Sequence, residues 1–536
     1  MILAIFGAFG YLIFNLYHLQ ISKQDYYSNQ AAAQYRLAGF LEPHRGVIYF
    51  TDKGGNAIPA ALNRSYPVIF AVPRKIDDLE ETVGTIAPIL SLREEELRST
   101  LADRRSLYRL LAKKASANEF TKIKQADLPG IYVDEQELRF YPLGKLAAHL
   151  LGFVGPSENG GGLVGRYGLE RLFSESLGGV PGRVDDNRMI EPIQGEDLTL
   201  TIDRNIQGRA EEILEKLVNQ YQAKGGTVIV LQPRTGSILA LGNYRNFDPN
   251  DYSKFDIYSF LNPAVQAIYE PGSVFKVITM AIALDLKKIS PQTTYYDTGE
   301  IHLNGKVIKN WDLKSYGQTT MTEVIEKSIN TGSAFAARLV GGNSFYDYLV
   351  KFGLKEKTGV QLPDEIVGNI ENVRKPREIN LATASFGQGI SVTPLSLISA
   401  VAAIANKGVL MRPNLIKDQA PQVVRRVVSQ EAAGQITAMM VSAVDKAQVA
   451  RIANYRVAGK TGTAQVPNFQ TGGYTEEVIN TYIGFAPATD PQFVALIKID
   501  QPPGAPLAGL TVVPAFRELA QFILNYYNAA PDNLSQ

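Results

Sequence analysis

Cysteine is absent from the 536-residue chain, which excludes disulfides, thiolate zinc sites and a cysteine nucleophile. Histidine is scarce, with four scattered residues, so no histidine-based metal centre is expected. Neither sign of charge is in excess: 54 Lys and Arg stand against 53 Asp and Glu. That balance leaves no electrostatic footprint for nucleic acid or for an anionic membrane surface. What is present is a 45% hydrophobic composition. Over this length it supports roughly two to four domains with real cores, and any chemistry must come from hydroxyls, amines, amides or carboxylates.

Charge is also missing from Met1 to Ser22, where Ile2 to Phe14 is almost wholly apolar. With its flanks this run approaches the ~20 residues that span a bilayer, and it predicts a membrane anchor over 1–21. A cleaved signal peptide is the competing reading, with Ala31-Ala32-Ala33 as a small-residue cleavage site. The polar stretch Ser22 to Gln30 puts that site too far downstream, so retention is favoured. No basic residue precedes the run to orient it, but everything from Lys23 onward falls on one side, expected to be extracytoplasmic.

Gln20 to Gln34 reads as a polar helical continuation. Arg45 to Phe50 reads as a strand running into a turn at Asp52-Lys53-Gly54-Gly55-Asn56. Ile76 to Lys124 is charged and helical in pattern, Tyr141 to Gly155 is apolar, and Glu158 to Gly162 is a flexible break. The major boundary falls near Gln194, just before the alternating strand Asp197 to Asp203. Beyond it a helix is expected over Ile206 to Ala223 and a hairpin over Gly226 to Leu241 turning at Pro233-Arg234-Thr235-Gly236. A terminal hairpin, Thr481 to Ala486 with Phe493 to Ile499, turns at Thr489-Asp490-Pro491, and a helix over Val513 to Tyr527 follows. Hairpins at both ends with helices between suit an antiparallel sheet flanked by helices.

Ser273 stands three residues before Lys276 in Glu270-Pro271-Gly272-Ser273-Val274-Phe275-Lys276, and the lysine interrupts an apolar run that continues to Leu284. Pro271, Gly272 and Ser273 suit a helix start, and residues at i and i+3 share a face, so hydroxyl and amine are expected to meet. An ammonium among Phe275, Val277, Ile278 and Met280 loses hydration and is driven toward the neutral amine, which is a base. Such a base takes the serine proton as the oxygen attacks a carbonyl, and the helix N-terminus favours the developing anion. The bland reading is a helix cap followed by a snorkelling lysine.

Met321 to Lys327 predicts a helix that ends near Ser328-Ile329-Asn330-Thr331-Gly332, with the glycine permitting the exit. Ser328 and Asn330 then share a loop that offers a hydroxyl for proton relay and an amide for a peptide, although C-terminal capping explains both as well. Lys-Thr-Gly occurs twice, at Lys357-Thr358-Gly359 and Lys460-Thr461-Gly462. The first lies in a polar turn. The second lies in a strand of small residues that lets a ligand backbone approach a sheet edge, and it is the one chosen.

In this order, Ser273-x-x-Lys276, Ser328-x-Asn330 and Lys460-Thr461-Gly462 resemble the active-site set of penicillin-binding proteins and serine β-lactamases. Arg45-Gly46-Val47-Ile48-Tyr49, Gly165-Arg166-Tyr167-Gly168-Leu169-Glu170, Glu270 to Ser273, Phe386-Gly387-Gln388-Gly389 with Thr393-Pro394, and Lys460 to Gln465 with Gly484 to Pro487 resemble class B penicillin-binding proteins, the bitopic peptidoglycan transpeptidases. The resemblance covers nearly the whole chain. One departure is Phe50-Thr51, inserted before Asp52-Lys53-Gly54-Gly55 where the family usually runs directly from strand to turn.

The resemblance implies an α+β multidomain chain. Its parts are the anchor (1–21), an elongated α/β membrane-proximal pedestal of dimerisation type (22–194), a penicillin-binding, β-lactamase-like transpeptidase domain (195–530) and a tail (531–536). It implies that Ser273 attacks the D-Ala-D-Ala carbonyl of a stem peptide with Lys276 as base, that D-alanine leaves, and that a second stem peptide's amine resolves the acyl-enzyme. Ser328 relays the proton, Asn330 holds the peptide amide, and Lys460, Thr461 and Thr463 bind the terminal carboxylate on the strand that contains Gly462. The N–H groups of Ser273 and Thr463 form the oxyanion hole. No metal or organic cofactor is implied. Implied partners are stem peptides, β-lactams, a membrane-embedded glycan polymerase and the bilayer, with no nucleic acid. The implied location is the plasma or inner membrane, crossed once, with the catalytic domain outside. The run His149 to Gly155 leans toward a role in division rather than elongation.

Two other readings share this chemistry: a D,D-carboxypeptidase or β-lactamase-like hydrolase, and a non-catalytic penicillin sensor or scaffold. Glu365 and Asn369 have the i, i+4 spacing of a carboxylate that positions a deacylating water. They are read as coincidence, because the pair follows Leu362-Pro363 and a transpeptidase requires slow hydrolysis.

Overall fold

The computed structural model describes residues 2–18, 23 and 42–533, apart from 107, 158–162, 186–187, 376, 469, 471 and 505. The polar continuation expected over Gln20 to Gln34 lies outside the described residues but for Lys23, and so does the break at Glu158 to Gly162. Ile2–Tyr17 forms a helix of 16 residues. At 1.5 Å per residue it measures about 24 Å, and among the described residues no helix is long and apolar enough to cross a membrane.

By compactness the chain divides into two units. One comprises residues 1–47, 61–142 and 175–197, and the other 48–60, 143–174 and 198–536. In the first, residues 62–71 pair antiparallel with Ile131–Phe140, and Arg109–Ala112 pairs on the other side. The charged stretch after Ile76 resolves into three helices, Leu79–Leu90, Glu94–Ala102 and Ala117–Ala126. Each turns its apolar stripe inward, so Val83, Ile86, Leu97 and Ile123 form one core with Ile69. Asp78 caps the first helix and a Ser116/Glu119 capping box starts the third.

The second unit is built on a five-stranded sheet: β1 (Gly225–Leu231), β2 (Ile238–Tyr244), β3 (Ala458–Pro467), β4 (Tyr474–Ala486) and β5 (Phe493–Asp500). The spatial order is β2-β1-β5-β4-β3, and every pair is antiparallel. Both expected hairpins are present, and they meet where β1 pairs with β5. Helices α1 (Arg204–Tyr221) and α7 (Val512–Tyr527) cover one face. Ile206, Ile213, Phe516, Leu519 and Ile523 share a core there with Val228, Val230, Ala495 and Ile497. Asp203 starts α1 by accepting from the N–H groups of Asn205 and Ile206 at 2.9 and 3.1 Å.

Between the hairpins lie α2 (Lys276–Asp285), α3 (Met321–Glu326), α4 (Asn330–Val340), α5 (Pro394–Ala405) and α6 (Gln430–Ala447). Every residue of α5 is buried, as is α2 from Lys276 through Leu284, in keeping with helices that are apolar nearly all round. The segment with Phe50-Thr51 is also accounted for. The strand Ile48–Thr51 runs parallel to Leu198–Asp203, its register slips between Tyr49 and Thr51, and the turn is closed by Asp52, whose Oδ1 accepts from the N–H groups of Gly54 and Asn56. A bulge absorbs the extra length before the turn.

Candidate active site

Ser273 sits in a single 3₁₀ turn, Gly272–Phe275, that leads into α2. Gly272 takes φ +61°, and a Cβ there would stand 2.9 Å from that of Ala464, so only glycine holds this turn against β3. Its N–H donates to Gly387 O at 3.1 Å. From the other side Gly462 provides the matching space, since a Cβ on it would lie 2.9 Å from Pro271 O. The small residues of β3 therefore make room for the Ser273 turn itself.

Lys276 is fully buried at the first position of α2. Its Nζ donates to Ser328 O at 2.6 Å, Asn330 Oδ1 at 2.8 Å and Ser328 Oγ at 3.2 Å. Among the described residues no hydrogen bond joins Lys276 to Ser273, so the expected meeting of hydroxyl and amine within one helical turn is not made in this state. The amine is turned instead toward the second motif. Catalytic contacts of this kind often tighten only around a bound substrate.

The Ser328 loop departs from expectation in a second way. Its helix, α3, ends at Glu326, and it is Ser328, at φ 57°, that takes the left-handed conformation and reverses the chain. Gly332 is no exit. It lies inside α4, where a Cβ would stand 2.3 Å from Val324 Cγ2, so it lets α4 close onto α3. Asn330 opens α4.

Lys460, on β3, completes the cluster. Its side chain is buried, and Nζ donates to Ser328 Oγ at 3.0 Å, with Thr461 O at 3.2 Å and Thr461 Oγ1 at 3.3 Å. One serine oxygen thus accepts from two lysines, which cannot be more than about 6 Å apart. Two ammonium ions so placed repel each other in a medium that hydrates neither. Burial, and then the charge of Lys460, drive Lys276 well below the ordinary lysine range, and burial alone brings Lys460 to about 7. Thr463, also on β3, accepts from Ala508 N at 3.2 Å.

The other Lys-Thr-Gly triplet has a structural occupation. Glu365 Oε1 accepts from Thr358 N at 2.8 Å and Thr358 Oγ1 at 2.6 Å, and Oε2 accepts from Gly359 N at 3.2 Å. Glu365 is buried over that turn. Asn369 forms an isolated bridge with Ser391, 2.8 Å from its N to Ser391 O. Reading the Glu365/Asn369 spacing as coincidence agrees with these contacts.

Glu270 belongs to none of the three motifs, yet it is bound on both sides of the Ser273 turn. Its Oε1 accepts from Gly389 N at 3.0 Å and its Oε2 from Tyr474 Oη at 3.0 Å, tying the Ser273 turn to the 386–389 loop and to the start of β4. Burial raises its pKa. A carboxylate directly before a Pro-Gly turn was the available signal. Among the described residues no three His, Cys, Asp or Glu side chains cluster as a metal site requires.

A model of the penicillin-binding protein transpeptidase domain matches residues 226–521, and a model of the penicillin-binding protein dimerisation domain matches residues 40–200. Stage V sporulation protein D of Bacillus subtilis is 33% identical over 502 residues, covering 88% of this chain and 76% of that protein. The peptidoglycan D,D-transpeptidase FtsI of Escherichia coli is 28% identical over 549 residues, covering 98% and 91%. Among solved structures, penicillin-binding protein 3 of Mycobacterium tuberculosis complexed with aztreonam superposes with a TM-score of 0.71 at 26% identity, covering 92% of this chain and 98% of that one. With both domains matched in order and the three motifs gathered around one turn, the chain belongs to the class B penicillin-binding proteins.

Proposed function

We propose that the chain is a serine-type peptidoglycan D,D-transpeptidase that cross-links stem peptides. The observation that carries this reading is the convergence of Lys276 and Lys460 on Ser328 Oγ beside the turn that presents Ser273. Neutral Lys276 takes the Ser273 proton as Oγ bonds to the carbonyl carbon of the penultimate D-alanine. The C–N bond to the terminal D-alanine then breaks, and the proton passes through Ser328 to the departing amine. The amine of a second stem peptide attacks the ester, re-forms an amide and returns the proton to Ser273. The N–H groups of Ser273 and Thr463 hold the oxyanion, a contribution of about 3 to 4 kcal/mol per donor. Lys460 with Thr461 and Thr463 grips the terminal carboxylate, and Asn330 aligns the peptide amide. With Glu365 committed to the 357–359 turn, the transpeptidase reading is favoured over the hydrolase.

The test is labelling of the full chain in detergent with a fluorescent penicillin. A label that maps to Ser273, persists for minutes or longer and is lost in Ser273→Ala supports the reading. Turnover within seconds would point to a hydrolase, and a label unaffected by Ser273→Ala would end the case for this nucleophile. With a stem pentapeptide donor and an amino-acid acceptor, the exchange product is expected to exceed the hydrolysis product.

The organisation proposed is an anchor over 1–21, a pedestal over 22–194 and a catalytic domain over 195–530. It places the enzyme in the plasma or inner membrane, crossed once, with its catalytic domain outside. The physical basis for the anchor is the uncharged run Met1 to Ser22. A membrane-embedded glycan polymerase is the proposed partner, and the reading leans to division. Cross-linking in native membranes followed by capture would recover that polymerase; recovery of none would remove it from the scheme.

A further inference from the structure

Helix α4 begins with a difficulty, because Ile329 stands at its N-cap and has no side-chain acceptor for the free N–H groups of the first turn. The acceptor comes from elsewhere. Asn310, 1% exposed, presents Oδ1 to Asn330 N at 3.1 Å and to Thr331 N at 3.3 Å. It is a capping residue supplied from a different part of the chain. Its amide can be oriented only one way, since Nδ2 donates to Asp297 Oδ2 at 2.9 Å and to Lys314 O at 3.0 Å.

Asp297, itself fully buried, reaches the same helix start through Thr331 and is fixed by two backbone N–H groups besides. Oδ1 accepts from Thr331 Oγ1 at 2.6 Å and Gly299 N at 3.1 Å, and Oδ2 also accepts from Tyr316 N at 2.9 Å. Asn330, held through its own N–H by Asn310, donates Nδ2 to Lys309 O at 2.9 Å, which leaves its Oδ1 facing Lys276 Nζ. An unbroken series of directional bonds therefore runs from Asp297 through Asn310 to Asn330 and the buried amine.

We infer that Asn310, oriented by Asp297, is a positioning residue for acylation: it sets the Ser328-x-Asn330 loop, and through it the amine of Lys276, at the Ser273 turn. Neither residue touches the reacting atoms. The inference rests on the reading of Ser273 as nucleophile and Lys276 as base, and it adds two residues that none of the three motifs contains. The ionisable groups around Asn310 are Asp297, Tyr295 through Thr331, Tyr316 with its partner Asp312, Lys309, Lys314 and Lys327, with Lys276 on the loop side.

The test compares the full chain in detergent with its Asn310→Ala and Asn310→Asp variants, reading the second-order rate of Ser273 labelling by fluorescent penicillin from pH 6 to 9. Asn310→Ala removes the cap and is expected to slow labelling by about tenfold to a hundredfold. Asn310→Asp keeps shape and acceptor but sets two carboxylates face to face. As pH falls the pair shares one proton, which re-creates the bond to Asp297 and frees the other oxygen for the helix. The ratio of its rate to wild type is therefore expected to climb toward unity from pH 9 to pH 6, a response that general weakening of the fold does not produce. Labelling of Asn310→Ala within twofold of wild type overturns the inference, as does an Asn310→Asp ratio that is flat with pH at any level. If Asn310→Ala does not fold, the Asn310→Asp ratio decides. A wild-type chain that takes no label at all overturns this inference and the proposed function together, whereas the other outcomes leave the nucleophile in place.

Discussion

At the scale of single residues, the site sets two buried amines against one serine oxygen, and burial disfavours charge on both. Replacing Lys276 by methionine keeps the volume and removes the base, so acylation should fall about a thousandfold while stability is kept or improved, because a buried amine no longer has to be desolvated. Urea unfolding beside penicillin labelling checks both halves. Lys460 gives a prediction in pH. The unfolded chain holds this proton up to the ordinary lysine value of 10.5, whereas the folded chain releases it near 7. Between those values the unfolded state binds more protons, so this group makes folding stability rise with pH and has no further effect below about 7. Lys460→Met should therefore gain over wild type most at pH 7, with an advantage that shrinks by on the order of 2 kcal/mol by pH 9. A constant difference between the two proteins across that range would contradict it.

At the scale of elements, much was legible because the signals were local. The apolar run from Val277 to Leu284 is long enough for a buried helix, and the short apolar runs around Val228 and Leu496, rich in β-branched residues and closed by turn residues, read as strands buried on both faces. The last strand and the last helix fall within a residue of their expected bounds, whereas the strand expected from Thr481 begins at Tyr474. What could not be read were contacts between distant segments. Nothing in Asn310 announces that it caps a helix twenty residues on, and nothing in Gly332 distinguishes a helix exit from a close packing of two helices. Nor could spacing within one helical turn reveal that Lys276 would face Ser328 rather than Ser273. Two substitutions probe such contacts. Gly462→Ala pushes a methyl into Pro271 O and Val274, so β3 must shift from the Ser273 turn. A loss of about 1 to 3 kcal/mol is expected, with acylation slowed about tenfold or more; unchanged acylation would mean that the strand can yield without cost. Glu365→Ala unties the 357–359 turn and should cost about 1 to 3 kcal/mol in unfolding free energy, yet leave the lifetime of the penicillin adduct as in wild type. An adduct lifetime that changed severalfold would restore Glu365 as a candidate for water activation.

At the scale of the whole molecule, composition and contact give different partitions of the chain. Punctuation by glycine and proline places a boundary near Gln194, whereas compactness groups residues 48–60 and 143–174 with 198–536. The physical reasons lie in that unit's core. Ile48–Thr51 supplies the parallel neighbour of Leu198–Asp203. Phe153 stacks on Tyr252 at 4.2 Å and packs edge-on against Phe260 at 4.9 Å, while His149, buried beside Phe247, is held neutral with a pKa of about 4. A chain cut to begin at residue 195 lacks these groups and should unfold at lower denaturant than one beginning at residue 42, or fail to accumulate. Equal midpoints would show that the earlier segments are dispensable. One feature of the sheet reaches further. Because β3 closes the spatial order and pairs among the described strands with β4 alone, a peptide laid along it would be read through its main chain. Recognition of that kind senses handedness and the spacing between an amide and a terminal acid, and is nearly blind to what hangs from the residues further back.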